Sequence, residues 1–354
     1  MSLLDDLLDR LGSALRNAVS PRTRRNLKRE LRGSALAKLG IVLVGVIVFV
    51  AVFAPFLAPH NPTAQHLNQS HLPPLGFSDQ KTVTSSEFVN GSIQVVNETR
   101  YVNATTTYPL GTDSLGRGML SRVIYGARTS LLVGLLGTAV AGLIGVTVGL
   151  SAGYYGGKVD DALMRSADIM LAFPSLVLAV ALVGLFGRVA IPVPDPFVIL
   201  GITPEMPETF ILPGTVILVV GLVNWVWFAR VARGEALTLA DQEYVKAARS
   251  IGASDRHTIF RHILPNAITP ILVLGTIQVA AIILLESSLS FLGFSGTTLS
   301  WGFDISQGRD YLASSWWIAT VPGVAIVWSV IGINLLGDWL RDALDPGIEG
   351  EGGV

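Results

Sequence analysis

Six windows of this chain run for roughly twenty residues each with almost no charged side chain, the length a helix needs to cross about 30 Å of hydrocarbon. They are 39–58, 129–154, 168–187, 211–229, 267–285 and 316–337. Half of the 354 residues are hydrophobic and 14% are charged, too apolar and too unevenly patterned for an ordinary soluble globule. The pattern predicts an all-α membrane protein of six transmembrane helices, with both termini on one side.

Sidedness follows from where Lys and Arg fall, because short loops rich in them stay in the cytoplasm. The amino-terminal arm carries Arg22, Arg24, Arg25, Lys28, Arg29 and Arg32 among others, and the 230–266 stretch carries Arg230, Arg233, Lys246, Arg249, Arg256 and Arg261. The opposite side is poorer, and most of its basic residues sit in one long loop where the rule has little force. Both ends are therefore expected in the cytoplasm and the chain in the cell membrane. Residues 1–35 are polar and basic before the first apolar run, so no cleavable secretory signal is evident. Leu3, Leu4, Leu7, Leu8, Leu11 and Leu15 form a helical stripe that fits a membrane-surface helix, although a loosely ordered arm is an equal reading. The expected organisation is an arm at 1–35, a first span within 36–58, an external insertion at 59–126, a five-helix core at 127–340 and a tail at 341–354. With no cysteine, disulfides and thiolate metal sites are ruled out.

The external insertion is rich in Thr, Ser, Asn and Pro, and alternating stretches such as Ser92-Ile93-Gln94-Val95-Val96 suggest a β-hairpin. Asn-X-Ser/Thr triplets occur at Asn68, Asn90, Asn97 and Asn103. Two readings stand, a glycosylated outer face and chance in a loop of this composition. His60, His66 and His71 lie six and five residues apart with no interleaved carboxylate, which fits a solvated loop better than a metal site. The next connection, 188–210, holds Pro192, Pro194, Pro196, Pro204 and Pro207 and should be a stiff loop or re-entrant segment. In the second span, Gly134, Gly137, Gly142, Gly145, Gly149 and Gly153 leave room for close helix approach.

Between the fourth and fifth spans, Glu243-Tyr244-Val245-Lys246-Ala247-Ala248-Arg249-Ser250-Ile251-Gly252-Ala253 is a polar, helix-forming segment that has to face something other than lipid. Its small residues would let another protein's groove close on it, and Gly252 is a natural helix stop. Left without a partner, Tyr244, Val245 and Ile251 would be exposed apolar groups in a polar loop. The candidate docking residues are Glu243, Tyr244, Ala247, Ala248, Arg249, Gly252 and Ala253, within a cytoplasmic segment at 231–266. Polar side chains inside spans are costly and so face a partner, a cavity or a path. Asn224, Gln278 and Glu286 are the candidates for a translocation path, with Trp225, Asn334 and Asp338 beside them; for Glu286 a structural hydrogen-bonding role competes. No phosphate-binding loop exists: around Gly157-Lys158, Ala152 replaces the leading Gly and Val159 the Ser or Thr. The chain is thus expected to hydrolyse no ATP itself and to be no enzyme, and an intramembrane hydrolase lacks its motifs.

The spacing Ala247-Ala248, Gly252, Ile263-Leu264-Pro265 resembles the coupling motif of permease subunits of ATP-binding-cassette importers, with Lys246 where that motif has Glu. Pro109-Leu110-Gly111-Thr112-Asp113-Ser114-Leu115-Gly116-Arg117 and Ser121-Arg122-Val123-Ile124-Tyr125-Gly126-Ala127-Arg128 are similar to a signature of the dipeptide/oligopeptide/nickel permeases, with Gly118 where Asp is usual. The segments 285–293 and 334–346 resemble the same group, so the likeness covers roughly 30–346. Read physically, the glycines punctuate a turn-rich connection and Arg122 and Arg128 mark a membrane boundary. The resemblance implies a heterodimer with a related six-span permease, two cytoplasmic ATPases that hold ATP and Mg, and an external solute-binding protein. It implies no cofactor on this chain, no nucleic-acid partner and a peptide solute, with nickel or oligosaccharide as alternatives. An ATP-independent transporter is the competing class.

Overall fold

The computed structural model describes residues 33–89, 92–296 and 298–344, with 79–101 as backbone. The leucine stripe, most of the basic arm, Asn90 and the tail from Asp345 onward lie outside the described residues.

Helix α1 (Ala35–Val52) opens on Ser34, whose hydroxyl accepts from the Ala37 amide, and is followed by the short α2 (Ala54–Leu57). A 3-10 turn at Leu67–Gln69 leads to β1 (Ser78–Val89) and β2 (Ser92–Asn103), an antiparallel hairpin with Ser78 opposite Asn103. Helix α3 (Met119–Tyr155) is 37 residues long. Next come α4 (Gly157–Leu171), α5 (Ser175–Phe186), β3 (Ala190–Pro194), α6 (Pro196–Ile199) and β4 (Thr209–Pro213). The carboxyl half holds α7 (Gly214–Ala240), α8 (Glu243–Ser250), α9 (Asp255–Thr258), α10 (Leu264–Phe291), α11 (Trp301–Gly308) and α12 (Trp317–Leu344).

Five helical stretches are long and apolar enough to cross a membrane: α1, α3, α7, the continuous run Asp255–Phe291 and α12. The third predicted window, 168–187, is not one straight helix. Pro174 cannot extend a helix and disfavours the helical conformation at Phe173, and α4 and α5 meet there at 95°. Counting that bent pair as one crossing gives six. The predicted window 211–229 shifts as well, since 211–213 belongs to β4 and α7 runs on to Ala240, taking Arg230 and Arg233 out of the supposed loop. The proline-rich 188–210 connection is a short hairpin, β3 paired with β4 around α6.

The glycines of α3 do what their spacing predicts. A methyl group at Gly137 would meet Val220, at Gly145 the backbone of Trp225, at Gly149 that of Ala229 and at Gly153 Arg233 and Ala236. These partners advance together, so α3 and α7 run parallel with backbones in close approach. Gly142 is the exception, with only Phe228 at 3.7 Å. Helix α1 lies antiparallel on α12 by the same device, Gly40 against Leu335 and Gly332 against Leu43. The apolar core joins Val133 of α3, Ala179 and Val183 of α5, Val216, Val219 and Val220 of α7, and Ile282 and Leu289 of α10.

Candidate coupling surface and buried polar centres

Helix α8 turns one face inward. Val245 is fully buried and Ala248 is 7% exposed. Both spans flanking this segment reach the same cluster, Phe228, Ala232 and Ala236 on α7, Ile259 and Ile263 ahead of α10, with Tyr154 of α3 beside them. The expectation that Val245 would be exposed is therefore wrong, and Ala248 belongs to the inner face. The outer face holds Glu243, Tyr244, Ala247 and Arg249, with Tyr244 42% exposed. Lys246, in the place of the motif's Glu, is exposed and lies 3.7 Å from exposed Asp241, a pair worth little in water.

The end of α8 is a Schellman turn. The Ala253 amide donates to the Ala248 carbonyl and the Gly252 amide to that of Arg249, both at 3.0 Å. Gly252 has φ +89, which disfavours any residue with a Cβ, yet no atom lies within 4 Å of where that Cβ would be. Its glycine is demanded by the turn rather than by crowding. The turn lifts Ile251 to 87% exposure, more than any other large hydrophobic group described. Ser254 then caps α9, and Asp255 accepts from the Tyr154 hydroxyl at 2.8 Å while the Arg249 guanidinium lies over the Tyr154 ring. Pro265 supplies no amide to the carbonyl four residues back, and the helix widens into a π segment at Ile259–Ile263 before continuing as α10. An apolar knob thus stands on an element packed against α7 and continuous with α10.

The signature at 109–128 builds a second centre. Asp113 Oδ1 accepts from the amides of Leu115 and Arg117 at 2.9 Å, and Arg117 Nε donates to its Oδ2 at 2.6 Å. Gly116 (φ +73) sits against the backbone of His66, so a side chain there meets two obstacles at once. Gly118 starts α3 without a side-chain cap, and a Cβ there would stand 3.0 Å from the Tyr108 ring, which would have to shift to admit a side chain. Arg122 and Arg128 are buried in the first three turns of α3. Arg122 pairs with Asp304 of α11 and donates to the Pro62 carbonyl, and Arg128 pairs with Asp195 and donates to the Ala51 and Val52 carbonyls. Burial pushes the Asp304 carboxyl above its ordinary pKa against the pull of Arg122, and lowers Arg117, which burial and the neighbouring Arg122 both disfavour as a cation. The three histidines are not brought into one cluster: His60 stacks on Tyr108, and His71 Nδ1 lies 2.9 Å from Ser315 Oγ.

The path candidates are dispersed. Glu286 is fully buried, with Ser290 Oγ donating at 2.5 Å and Ser130 of α3 and Ser287 at 3.3 and 3.4 Å. Ser300, the cap of α11, reaches Ser290 at 3.3 Å, so the carboxyl sits where α3, α10 and α11 meet. Asn224 spends its amide on the Val220 carbonyl of its own helix, whereas buried Gln278 Nε2 has no partner among the described residues. None of the three lines the groove of about 530 Å³ between α3 and α10, whose walls include Thr138, Gly142, Thr147, Phe228, Leu264 and Gly275. Trp225 is buried, and Asn334 and Asp338 are exposed. No ion pair joins Asp338, Arg341 and Asp342 among the described residues.

Residues 145–350, more than half of the chain, match the binding-protein-dependent transport system inner membrane components. The chain belongs to that family. Residues 25–74 of this permease also match the N-terminal transmembrane domain of oligopeptide transport permease C. The permease is 33% identical over 318 residues to the probable D,D-dipeptide transport system permease protein DdpC of Escherichia coli (strain K12), covering 89% of each chain. It is 34% identical to the di/tripeptide transport system permease protein DppC of Pseudomonas aeruginosa (strain UCBPP-PA14), covering 87% of this chain and 86% of that one. A chain of the MetNI methionine ABC transporter, in inward-facing conformations, aligns at a TM-score of 0.48 and 18% identity over 64% of the permease and 98% of its own length. The resemblance drawn from the two signatures is thereby borne out. Missed in the permease's sequence were Asp195, Asp304, Ser130 and Ser300. The available signal was the cation pair Arg122 and Arg128 beside an apolar run, which demands buried carboxylates from elsewhere.

Proposed function

We propose that this permease is the membrane subunit of an ATP-driven importer of di- and oligopeptides, working as a heterodimer with a related permease, two cytoplasmic ATPases and an external solute-binding protein. The peptide substrate is supported by relatives named for dipeptide and di/tripeptide transport. The observation that carries the ATP-driven reading is Ile251, an apolar knob raised on a rigid turn whose root is the buried pair Val245 and Ala248. A partner groove that accepts Ile251, flanked by Tyr244, Ala247 and Arg249, covers the apolar surface that water leaves costly. Because α8 packs on α7 and α9 runs on into α10, closure of the ATPase pair moves these spans together as one body, the hinge-and-shear form of switching. ATP and Mg reside on the partners, since this chain lacks a phosphate-binding loop.

The basic amino-terminal arm and the coupling segment face the cytoplasm, and β1–β2 faces outward. Gln278, with an unspent amide, is the best of the path candidates. Enclosed among serines, Glu286 serves to join three helices.

Reconstitution of the purified complex into vesicles with its binding protein tests this reading. Uptake of a labelled dipeptide that requires ATP is the expected result. Uptake driven by an ion gradient without ATP, or accumulation of nickel or oligosaccharide in place of peptide, overturns it.

A further inference from the structure

We propose that the outward hairpin region is N-glycosylated, with Asn103 and Asn68 as acceptors and Asn97 as a third. The inference rests on the sidedness stated above. Four Asn-X-Ser/Thr triplets exist in the chain and all fall within 68–105, while Asn17, Asn26, Asn224, Asn266 and Asn334 carry none and Asn61 is spoiled by Pro62. The structure adds three observations. Asn68, in the 3-10 turn, and Asn103, the last residue of β2, are both exposed, as an acceptor has to be. The hydroxyl that the Asn103 triplet requires, Thr105 Oγ1, is buried without a hydrogen-bond partner among the described residues. Burying a hydroxyl without a partner is unfavourable, so the fold gains nothing from a hydroxyl there. The register also places Asn97, opposite Thr84, on the face that holds Asn103, opposite Ser78.

The same register puts Thr82, Thr84, Ser86 and Thr99 at positions on that face, together with Phe88, Ile93, Val95 and Tyr101. An isolated two-stranded hairpin is marginal in water. The hairpin also lies between the two stretches that match known families, 25–74 and 145–350. The reaction is a group transfer from an oligosaccharide on a lipid-linked phosphate. The Asn carboxamide nitrogen forms a bond to the anomeric carbon, the anomeric carbon–oxygen bond to phosphate breaks, and the amide proton leaves with the lipid phosphate.

The test is peptide mass spectrometry on the full chain purified from membranes of the organism that encodes it. A glycan mass on the Asn103 peptide, lost in Asn103→Gln and Thr105→Val but kept in Thr105→Ser, is the expected result; Thr105→Val preserves the shape and so separates modification from packing. In parallel, a Thr107→Cys variant of this cysteine-free chain is labelled in intact cells with a membrane-impermeant maleimide. Labelling together with unmodified Asn68, Asn97 and Asn103 overturns the glycan proposal and leaves the importer's orientation standing. Labelling only after permeabilisation overturns both.

Discussion

At the residue scale the decisive feature is how this permease tolerates charge in an apolar fold. Arg122 and Asp304 are each almost completely buried, and their pairing holds the start of α3 against α11. Removing one member of a buried pair leaves the other charge uncompensated at a cost of about 3–5 kcal/mol. Asp304→Ala is therefore expected to lower the midpoint of thermal unfolding in detergent sharply, while the double change Arg122→Met with Asp304→Leu recovers most of that loss. Equal destabilisation by the single and double variants would show that the pair's charge balance is not what matters. Arg122 and Arg128 were legible in the sequence as residues needing an explanation, but Asp195 and Asp304 were not. They lie 67 and 182 residues from their partners, and no local pattern carries a contact of that range. Gly118 is a similar case: its departure from the family pattern was visible, and its close neighbour, the ring of Tyr108, was not.

At the scale of elements, apolar windows located the spans because hydrocarbon thickness is a strict requirement, yet window edges followed charge rather than helix geometry. Helix α3 starts at Met119, ten residues ahead of its window, since its first turns bury their arginines in protein instead of lipid. The bend at Pro174 was legible from the proline, and reading 168–187 as one helix overlooked it. Glycine spacing gave the α3–α7 contact correctly. Gly149→Val should therefore cost at least about 1–3 kcal/mol by overpacking, because the new Cβ meets the Ala229 backbone. Gly142→Ala should be neutral or stabilising by up to about 1 kcal/mol. Thermal unfolding of both variants checks this, and equal losses would contradict the parallel packing described. In the coupling segment, Gly252→Ala should cost about 1–2 kcal/mol through its left-handed backbone. Since nothing crowds that position, the variant should still bind its partner when cooled, and loss of binding at unchanged thermal stability would instead place Gly252 in the contact.

At the scale of the whole molecule, the permease reads as a set of packed spans moved from one end. Val245 packs the coupling segment against α7, the π segment ahead of Pro265 carries it into α10, and Ile251 is left free to engage a partner. Function at this level was legible because the segment is polar where lipid-facing sequence would be apolar. Which of its residues point outward was not legible, since an eight-residue helix can present either face until the structure puts Val245 inside. The most direct measurement compares the wild-type permease with Ile251→Asp, assaying copurification of the ATPase and peptide-stimulated ATP hydrolysis in the reconstituted complex. The account predicts that Ile251→Asp inserts and folds like wild type, retains the sister permease, and loses both the ATPase and the stimulation. Full ATPase recovery and undiminished stimulation with Ile251→Asp would contradict it, because the most exposed apolar group of the coupling segment would then not be what the ATPase grips.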